Sequence, residues 1–314
     1  MQKSPIFKLN QNENSLYIKR EDLLPFSFGG NKARKGQKFF DDIDKGAFDV
    51  VVTYGSASSN HGRIIANMAK KRDLPCIIIS PKEASKETFN SEMMRFLGAK
   101  IIVVPVDEVS KTIDDLILEL KEEGKNPYFI QGGGHGNLGT QAYVECYEEI
   151  KEFEKQKDIF FDYIFLASGT GATQAGLVCG QTINNDKRDI VGISIARPNP
   201  RGKEVVLDSI REYLDSLDIE YNEKSLLENT HFTDEYICGG YGKFDLDVER
   251  VIENSFKNYG LPLDSTYTGK AFSGMLKFIE KEKIVGKNIL FIHTGGTPLY
   301  FDYLRESKGD VEND

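Results

Sequence analysis

Positive charge is in short supply: 40 lysines and arginines stand against 49 aspartates and glutamates, a net charge of −9. Nucleic acid and anionic membranes select basic surfaces, so neither is expected as the main partner; a local basic pocket for a small anion remains open. No apolar run approaches the length of a membrane span, and the opening MQKSPIFKLNQNENS lacks the apolar core of a signal peptide, so a cytoplasmic protein is expected. The four cysteines, Cys76, Cys146, Cys179 and Cys238, are scattered without a CxxC pair. That pattern points to a reducing compartment and to thiols used as small buried apolar groups. The four histidines form no HExxH and no cluster with cysteine, so no metal is expected. Repeats and low-complexity linkers are absent as well.

What the chain does have is length for one or two domains and a regular alternation of two patterns. Strands are predicted at SLYIKR (15–20), FDVVVTY (48–54), PCIIIS (75–80), KIIVVPV (100–106), FDYIFLAS (161–168), DIVGISIA (189–196) and NILFIHTGG (288–296). Amphipathic helices are predicted between them, over NKARKGQKFFDDIDKG, HGRIIANMAKKRD, roughly 88–97, TIDDLILELKEEG, roughly 139–155, QAGLVCGQTINN, a segment ending near 215, DLDVERVIENSFKNYG and KAFSGMLKFIEKEK. β-Branched runs alternating with amphipathic segments indicate an α/β fold, a parallel sheet flanked by helices. The last residues, ESKGDVEND, are expected to fray.

In such a fold ligands gather at the carboxyl ends of strands, where the free N–H groups and dipole of the next helix favour an anion. FLASGTGATQAG is the best of three such corners. Gly169 and Gly171 let the backbone curl its N–H groups around an oxyanion, and Ser168, Thr170 and Thr173 add hydroxyl donors. It lacks the GK[ST] ending of a Walker loop, and Gln174 stands where GxGxxG needs its last glycine. A tight strand-to-helix turn without a ligand is the plainer alternative. VVTYGSASSNHGR offers Ser59, Asn60 and His61 to a smaller anion such as a carboxylate, or serves only as a helix cap. In FIHTGGTPLY, His293 taken alone is more often a core histidine than a ligand, and Gly295 and Gly296 indicate close backbone approach.

FSFGGNKARKG (26–36) gains meaning beside these corners. If a phosphorylated cofactor sits on the 168–173 loop, a nearby lysine amine could form an imine with an aldehyde on it. Such a lysine needs a depressed pKa, from burial and from neighbouring positive charge. Lys35 follows Lys32 by one helical turn and could supply that charge or touch the phosphate. A solvated basic helix start is the ordinary alternative for the segment taken by itself.

IKREDLLPFSFGGNKARK, SSNHGR, SGTGATQAGL, GGYG, STYTGKAFSGM and HTGGTPLY, in this order over nearly the whole chain, resemble the D-cysteine desulfhydrase and 1-aminocyclopropane-1-carboxylate deaminase family. The resemblance implies a pyridoxal 5'-phosphate enzyme of the tryptophan-synthase-β-like fold (fold type II), with two open, mostly parallel twisted sheets flanked by helices. It implies a small domain, residues 46–155, inserted into a larger one made of 1–45 and 156–314, with the cofactor between them, and a homodimer. Carried over by motif, Lys32 would hold the cofactor as a Schiff base and move the α-proton, and Lys35 would lie near the phosphate. Ser168, Gly169, Thr170, Gly171, Ala172 and Thr173 would cradle the phosphate. Asn60 would bond the ring hydroxyl. Ser59, Asn60 and His61 would receive the substrate carboxylate, with Ser59 also able to shuttle a proton. Tyr267 would stack on the ring, Tyr241 would approach the substrate from the other side, and Thr268 or Thr294 would face the ring nitrogen.

The chain departs from the family pattern in places. Ala172 replaces the usual glycine of the phosphate loop. SASSNHGRI differs from AIQSNHxRQ at Ile64, with a small Gly62, expected beside the carboxylate site. Thr268 follows the stacking tyrosine where the deaminases carry glutamate. The expectation is therefore a lyase acting by α,β-elimination on a small amino acid, D-cysteine first, giving hydrogen sulfide, ammonia and pyruvate. Ring opening of 1-aminocyclopropane-1-carboxylate and a β-replacement or β-elimination on another small amino acid are the alternatives within the family. A nucleotide-dependent oxidoreductase built on Gly169 and Gly171, and a non-catalytic pyridoxal-phosphate binder, are the alternatives outside it.

Overall fold

A computed structural model describes residues 2–309. The β-branched runs form its strands. In chain order the elements are β1 (Ile6–Gln11), β2 (Ser15–Arg20), α1 (Asn31–Ile43), β3 (Val50–Tyr54), α2 (Asn60–Lys70), β4 (Cys76–Pro81), α3 (Phe89–Phe96), β5 (Lys100–Val104), α4 (Val109–Glu122), β6 (Pro127–Ile130) and α5 (Asn137–Lys157). There follow β7 (Tyr163–Ser168), α6 (Ala172–Asn184), β8 (Asp189–Ser194), α7 (Arg201–Asp215), α8 (Glu223–Asn229), β9 (Thr230–Thr233), α9 (Leu246–Tyr259), α10 (Thr268–Lys281), β10 (Asn288–His293) and α11 (Thr297–Gly309).

The strands make two sheets. One has the order β1-β2-β10-β7-β8-β9 and the other β5-β4-β3-β6. All neighbours run parallel except β1 and β2. Parallel strands need crossover helices on their faces, which is why β4 and β7 read as continuous apolar runs and not as alternations. The loops after β3, β7 and β10 leave the carboxyl ends of their strands toward one cleft, as the fold rule demands.

Two helices connect the sheets in a way composition does not reveal. α1 buries Ala33, Phe39, Phe40 and Ile43 in the core of the four-stranded sheet, with Val51, Ile64, Ile78 and Ile130. α5 buries Tyr143, Cys146, Tyr147 and Ile150 in the core of the six-stranded sheet, with Ile164, Val178 and Leu290. Each fully buried aliphatic or aromatic side chain here contributes about 1.5–3 kcal/mol. α5 and α6 touch closely because α6 carries glycine: a Cβ on Gly176 would lie 2.3 Å from the Thr140 carbonyl, and one on Gly180 would lie 2.5 Å from Tyr147 Cβ.

β1, β6, β9, α8 and α11 have no counterpart in the sequence prediction. All three strands are short or at a sheet edge or end. α11 also reaches into the segment expected to fray: Glu306 to Gly309 are helical, and residues 310–314 lie outside the described residues. Among the described residues no helix is long and apolar enough to cross a membrane.

Candidate active site

The cleft between the two sheets holds a cavity of about 600 Å³. Its wall contains Lys32, His61, His135, Arg197 and Arg201 and, among the described residues, not one carboxylate. In a chain of net charge −9, a wall of that kind suits an anionic ligand.

The paired glycines of FSFGGNK place the lysine. Gly29 and Gly30 have φ of +55° and +92°, in the left-handed region that favours glycine. A Cβ on Gly29 would sit 2.6 Å from the carbonyls of Glu21 and Asp22, and one on Gly30 would sit 2.8 Å from that of Thr294. The chain therefore squeezes between β2 and the end of β10. There the Gly30 N–H donates to Glu21 O (2.7 Å) and the Asn31 N–H to Thr294 O (2.9 Å). Lys32 stands in the first turn of α1, and its Nζ donates to Gly133 O at 2.9 Å inside the cavity. Burial pushes its pKa down to about 8. A sizeable fraction of neutral amine is thus present near physiological pH.

Lys35 has a different part from the one expected. It is buried beneath the cavity and does not line it; its Nζ has no hydrogen-bond partner and lies 6.0 Å from the Tyr143 ring centre. Burial first, and Lys32 second, hold its pKa well below the usual lysine range. The depression of Lys32 comes from burial and not from the charge of Lys35.

The register of α1 is locked by a buried ion network. Arg34 forks onto Glu21 (2.7 and 2.9 Å) and onto Glu149 (2.8 and 2.9 Å), Lys19 reaches Glu149 (2.7 Å), and Ser4 and Tyr143 donate to Glu21 (2.6 and 3.0 Å). Burial opposes the Glu21 charge, yet Arg34 and the surrounding donors win and hold its pKa near 2. This is the physical content of IKRED and NKARK occurring together: the helix that carries Lys32 is bolted to β2 and to α5.

The loop after β7 behaves as an anion cradle. Gly171 has φ +96° and opens α6, leaving the first N–H groups of that helix at the cavity. Ser168, Gly169, Thr170, Gly171 and Thr173 all line it, whereas Ala172 is fully buried and does not. The Ser168 hydroxyl is buried without any hydrogen-bond partner. A buried orphan donor at a helix N-terminus fits a phosphate oxygen. Arg197, invisible as a site residue in the sequence, donates to Gly169 O at 2.9 Å and so props the same loop. Asn31 reaches across to Thr173 Oγ1 at 3.0 Å.

The loop after β3 supplies the opposite wall. Ser59 caps α2, its Oγ accepting from Gly62 N at 3.0 Å, which leaves its hydroxyl proton available. Asn60 faces the cavity with its Oδ1 already accepting from Asn90 (3.0 Å), so Nδ2 is the free donor. His61 is fixed by Thr53. The Thr53 hydroxyl donates to Ile130 O (2.7 Å) and so accepts from His61 Nε2 at 2.9 Å, leaving Nδ1 bare and partnerless. Burial, Lys32 and Lys35 keep the ring neutral, holding its pKa well below the ordinary value. The departures at Gly62 and Ile64 are packing changes and not site changes. Ile64 is fully buried with Phe40 and Met68, and a Cβ on Gly62 would meet Met94 Sδ at 2.7 Å.

Tyr267 and Tyr241 close the mouth. Their hydroxyls are 2.6 Å apart, and that of Tyr241 lies 3.2 Å from Ser58 Oγ on the other sheet's loop. Burial and Tyr241 hold the Tyr267 phenol well above its usual pKa, so it stays protonated. Two buried groups hold this pair. Asp264 accepts from the N–H groups of Thr266 (2.9 Å), Tyr267 (2.7 Å) and Thr268 (3.1 Å). Lys270 donates to the carbonyls of Ile195, Ile237 and Gly240 (3.0, 2.9 and 2.8 Å), tethering the GGYG loop. The Thr268 hydroxyl donates to Asp264 Oδ2 at 2.8 Å, is fully buried and lies off the cavity wall. Of the two threonines offered for the ring nitrogen, Thr294 is the one that lines the cavity.

Tyr54, Gln131, Gly133 and His135 also line the cavity. FIQGGGHGN is the signal for the last three: a strand end followed by glycines with φ of +75° and +66° at Gly133 and Gly134. His293 belongs to the core, fully buried with its Nδ1 accepting from Gly295 N.

Known proteins share this chain's sequence pattern and fold. The family described as pyridoxal-phosphate dependent enzymes matches residues 1–295. The chain is 35% identical to a putative 1-aminocyclopropane-1-carboxylate deaminase of Pyrococcus horikoshii, over 92% of this chain and 86% of that one. It is 29% identical to a D-cysteine desulfhydrase of Serratia proteamaculans, over 96% of this chain and 93% of that one. A crystal structure of an ACC deaminase homologue superposes with a TM-score of 0.87 at 32% identity, covering 98% of this chain and 93% of that one.

Proposed function

The chain belongs to the pyridoxal-phosphate dependent enzyme family, within its ACC deaminase and D-cysteine desulfhydrase branch, and from that membership we propose a lyase that removes the β-substituent and the amino group of a small amino acid, D-cysteine in the first place. The donor set fits the cofactor: the 168–173 loop with its orphan Ser168 hydroxyl for the phosphate, Asn60 Nδ2 for the ring oxygen, Tyr267 against the ring, and Lys32 for the aldehyde carbon. When bound, pyridoxal phosphate delocalises negative charge left on the substrate α-carbon.

The chain's own residues supply the rest. The first N–H groups of α2, with Ser59 and Asn60, bind and orient the substrate carboxylate. Lys32 Nζ, with a pKa near 8, accepts the α-proton as a neutral amine and returns a proton later. The Tyr241–Tyr267 hydroxyl pair would face the leaving group from the mouth of the cavity, in a hydroxyl chain that runs on to Ser58.

The observation that carries the choice of substrate is that no carboxylate among the described residues stands on the cavity wall. Thr294, which lines the cavity, would then offer the ring nitrogen a neutral hydroxyl, and the ring would withdraw electrons less strongly. A weaker electron sink favours substrates whose β-substituent departs easily, as a thiolate does. Opening a cyclopropane ring offers no such group. The second reading, 1-aminocyclopropane-1-carboxylate deaminase, rests on the relatives of that name at 33 and 35% identity.

The test is keto-acid release by the cofactor-saturated protein. Pyruvate from D-cysteine, with little 2-oxobutyrate from 1-aminocyclopropane-1-carboxylate, is the expected result. The reverse would replace the first reading by the second, and neither product would remove both. After borohydride reduction the cofactor mass should be found on the Lys32 peptide, and on no peptide of the Lys32→Ala protein.

A further inference from the structure

Arg63 lies on α2 one turn after Asn60, and its side chain is sealed from solvent. A buried guanidinium normally faces a carboxylate, because an uncompensated buried charge is costly. Among the described residues this one faces only neutral groups. Nε donates to Asn90 Oδ1 (2.8 Å), Nη1 to Ser27 Oγ (2.9 Å) and Nη2 to Asn60 Oδ1 (3.4 Å), and the Phe28 ring centre is 5.8 Å away. Burial lowers its pKa to about 9, so it remains charged at neutral pH.

The chemistry of the donors settles two amide orientations. A guanidinium can only donate. The Asn90 atom on Arg63 Nε is therefore its oxygen, and Asn90 Nδ2 is turned onto Asn60 Oδ1 (3.0 Å) and Ser58 O (3.0 Å). Asn60 Oδ1 then receives both Asn90 and Arg63, so Asn60 can present only Nδ2 to the cavity. The same guanidinium holds Ser27, in the left-handed segment Phe26–Phe28 that leads into Gly29 and on to Lys32.

We propose that Arg63 is a positioning residue for the cofactor's ring oxygen: directly and through Asn90 it locks Asn60 as a hydrogen-bond donor to that oxygen, and its unpaired positive charge behind the amide favours the ionised oxygen. The inference rests on the assignment of Asn60 to the ring oxygen. Among the described residues no carboxylate lines the cavity to offset the charge, and the cationic or titratable bases there are Lys32, His61, His135, Arg197 and Arg201.

The test uses cofactor-loaded protein with Arg63→Met, Asn90→Asp and Asn60→Ala, and reads the pH midpoint of the bound cofactor's visible band together with cofactor affinity. A donor and a positive charge beside the ring oxygen ease loss of the proton shared between it and the lysine nitrogen. Removing them raises the midpoint. Arg63→Met is expected to move it up by about 1 pH unit, the ordinary reach of a nearby charge, and to weaken cofactor binding about tenfold. Asn90→Asp keeps the size and still accepts from Arg63. Its second oxygen must turn the Asn60 amide around, so the midpoint should rise at least as far. If Arg63→Met does not fold, Asn90→Asp decides alone. An unchanged midpoint and affinity in both, with Asn60→Ala shifting them, would overturn the role of Arg63 and leave that of Asn60 standing. An unchanged Asn60→Ala would overturn the assignment of Asn60 and the inference with it.

Discussion

Replacing Lys32 by methionine should make the cofactor-free protein more stable while ending covalent cofactor attachment. The amine is held in the cavity with its pKa lowered from 10.5 to about 8 by burial. That gap corresponds to about 3 kcal/mol of destabilisation wherever the lysine is charged in both states, that is, at and below neutral pH. The sign follows from proton counting. Between about 8 and 10.5 the unfolded chain binds the proton and the folded one does not, so stability rises with pH through that window. Methionine removes the charge but leaves Gly133 O without its 2.9 Å donor, a loss of about 1 kcal/mol. The net gain is then about 2 kcal/mol at pH 7 and near zero at about pH 9.5. Removing the Lys32 charge also relieves Lys35, which acts in the same direction. The assay is urea unfolding of both apo proteins at the two pH values. A methionine variant less stable than the parent at pH 7, or a gain of equal size at both pH values, would refute the idea that the protein holds its lysine in a strained, poised state.

Three further outcomes are expected. Glu21→Gln should cost about 2–3 kcal/mol in denaturant unfolding, because Arg34 would keep only the Glu149 carboxylate; in the parent, whose Glu21 is depressed from 4.5 to about 2, this contribution should fade as pH falls through that range. Gly133→Ala puts a Cβ 2.6 Å from Thr170 Cγ2 and 3.3 Å from Lys32 Nζ at a φ of +75°. It should lower stability by about 1–2 kcal/mol and weaken cofactor uptake in an absorbance titration. Thr294→Val should alter the bound cofactor's spectrum, whereas Thr268→Val should leave the spectrum and cost about 1–2 kcal/mol in thermal unfolding, since Asp264 would lose a buried donor; the opposite pattern would return Thr268 to the cavity.

Much of this molecule is legible along the chain because its signals are local. Valine and isoleucine runs bounded by small residues announce parallel strands wherever they occur, as VVVTY and CIIISP do. Paired glycines before Lys32 announce a tight passage: at φ of +55° and +92° glycine has no Cβ to strike the carbonyls of Glu21, Asp22 and Thr294. Ser168–Thr173 and Ser59–His61 read as anion corners because a helix N-terminus with hydroxyls beside it is defined within a few residues.

Other features became visible only in three dimensions because they depend on which side chains meet. Arg63 and Lys270 stand in motifs that give them no part, and Arg197 stands in none, yet each reaches a loop that is distant in sequence and holds it. The two threonines near the ring cannot be ranked along the chain, since Thr268 is consumed by Asp264 four residues earlier while Thr294 opens onto the cavity. Ile64 and Gly62 looked like changes beside the substrate and turned out to face the core. The resemblance implies an inserted unit at 46–155; the packing shows α1 burying its apolar face with the four-stranded sheet and α5 with the six-stranded one. Residue types and spacings thus determine the strands, the helix starts and the chemistry available. Packing determines which face of each helix is covered, and so which of those groups reach the cleft.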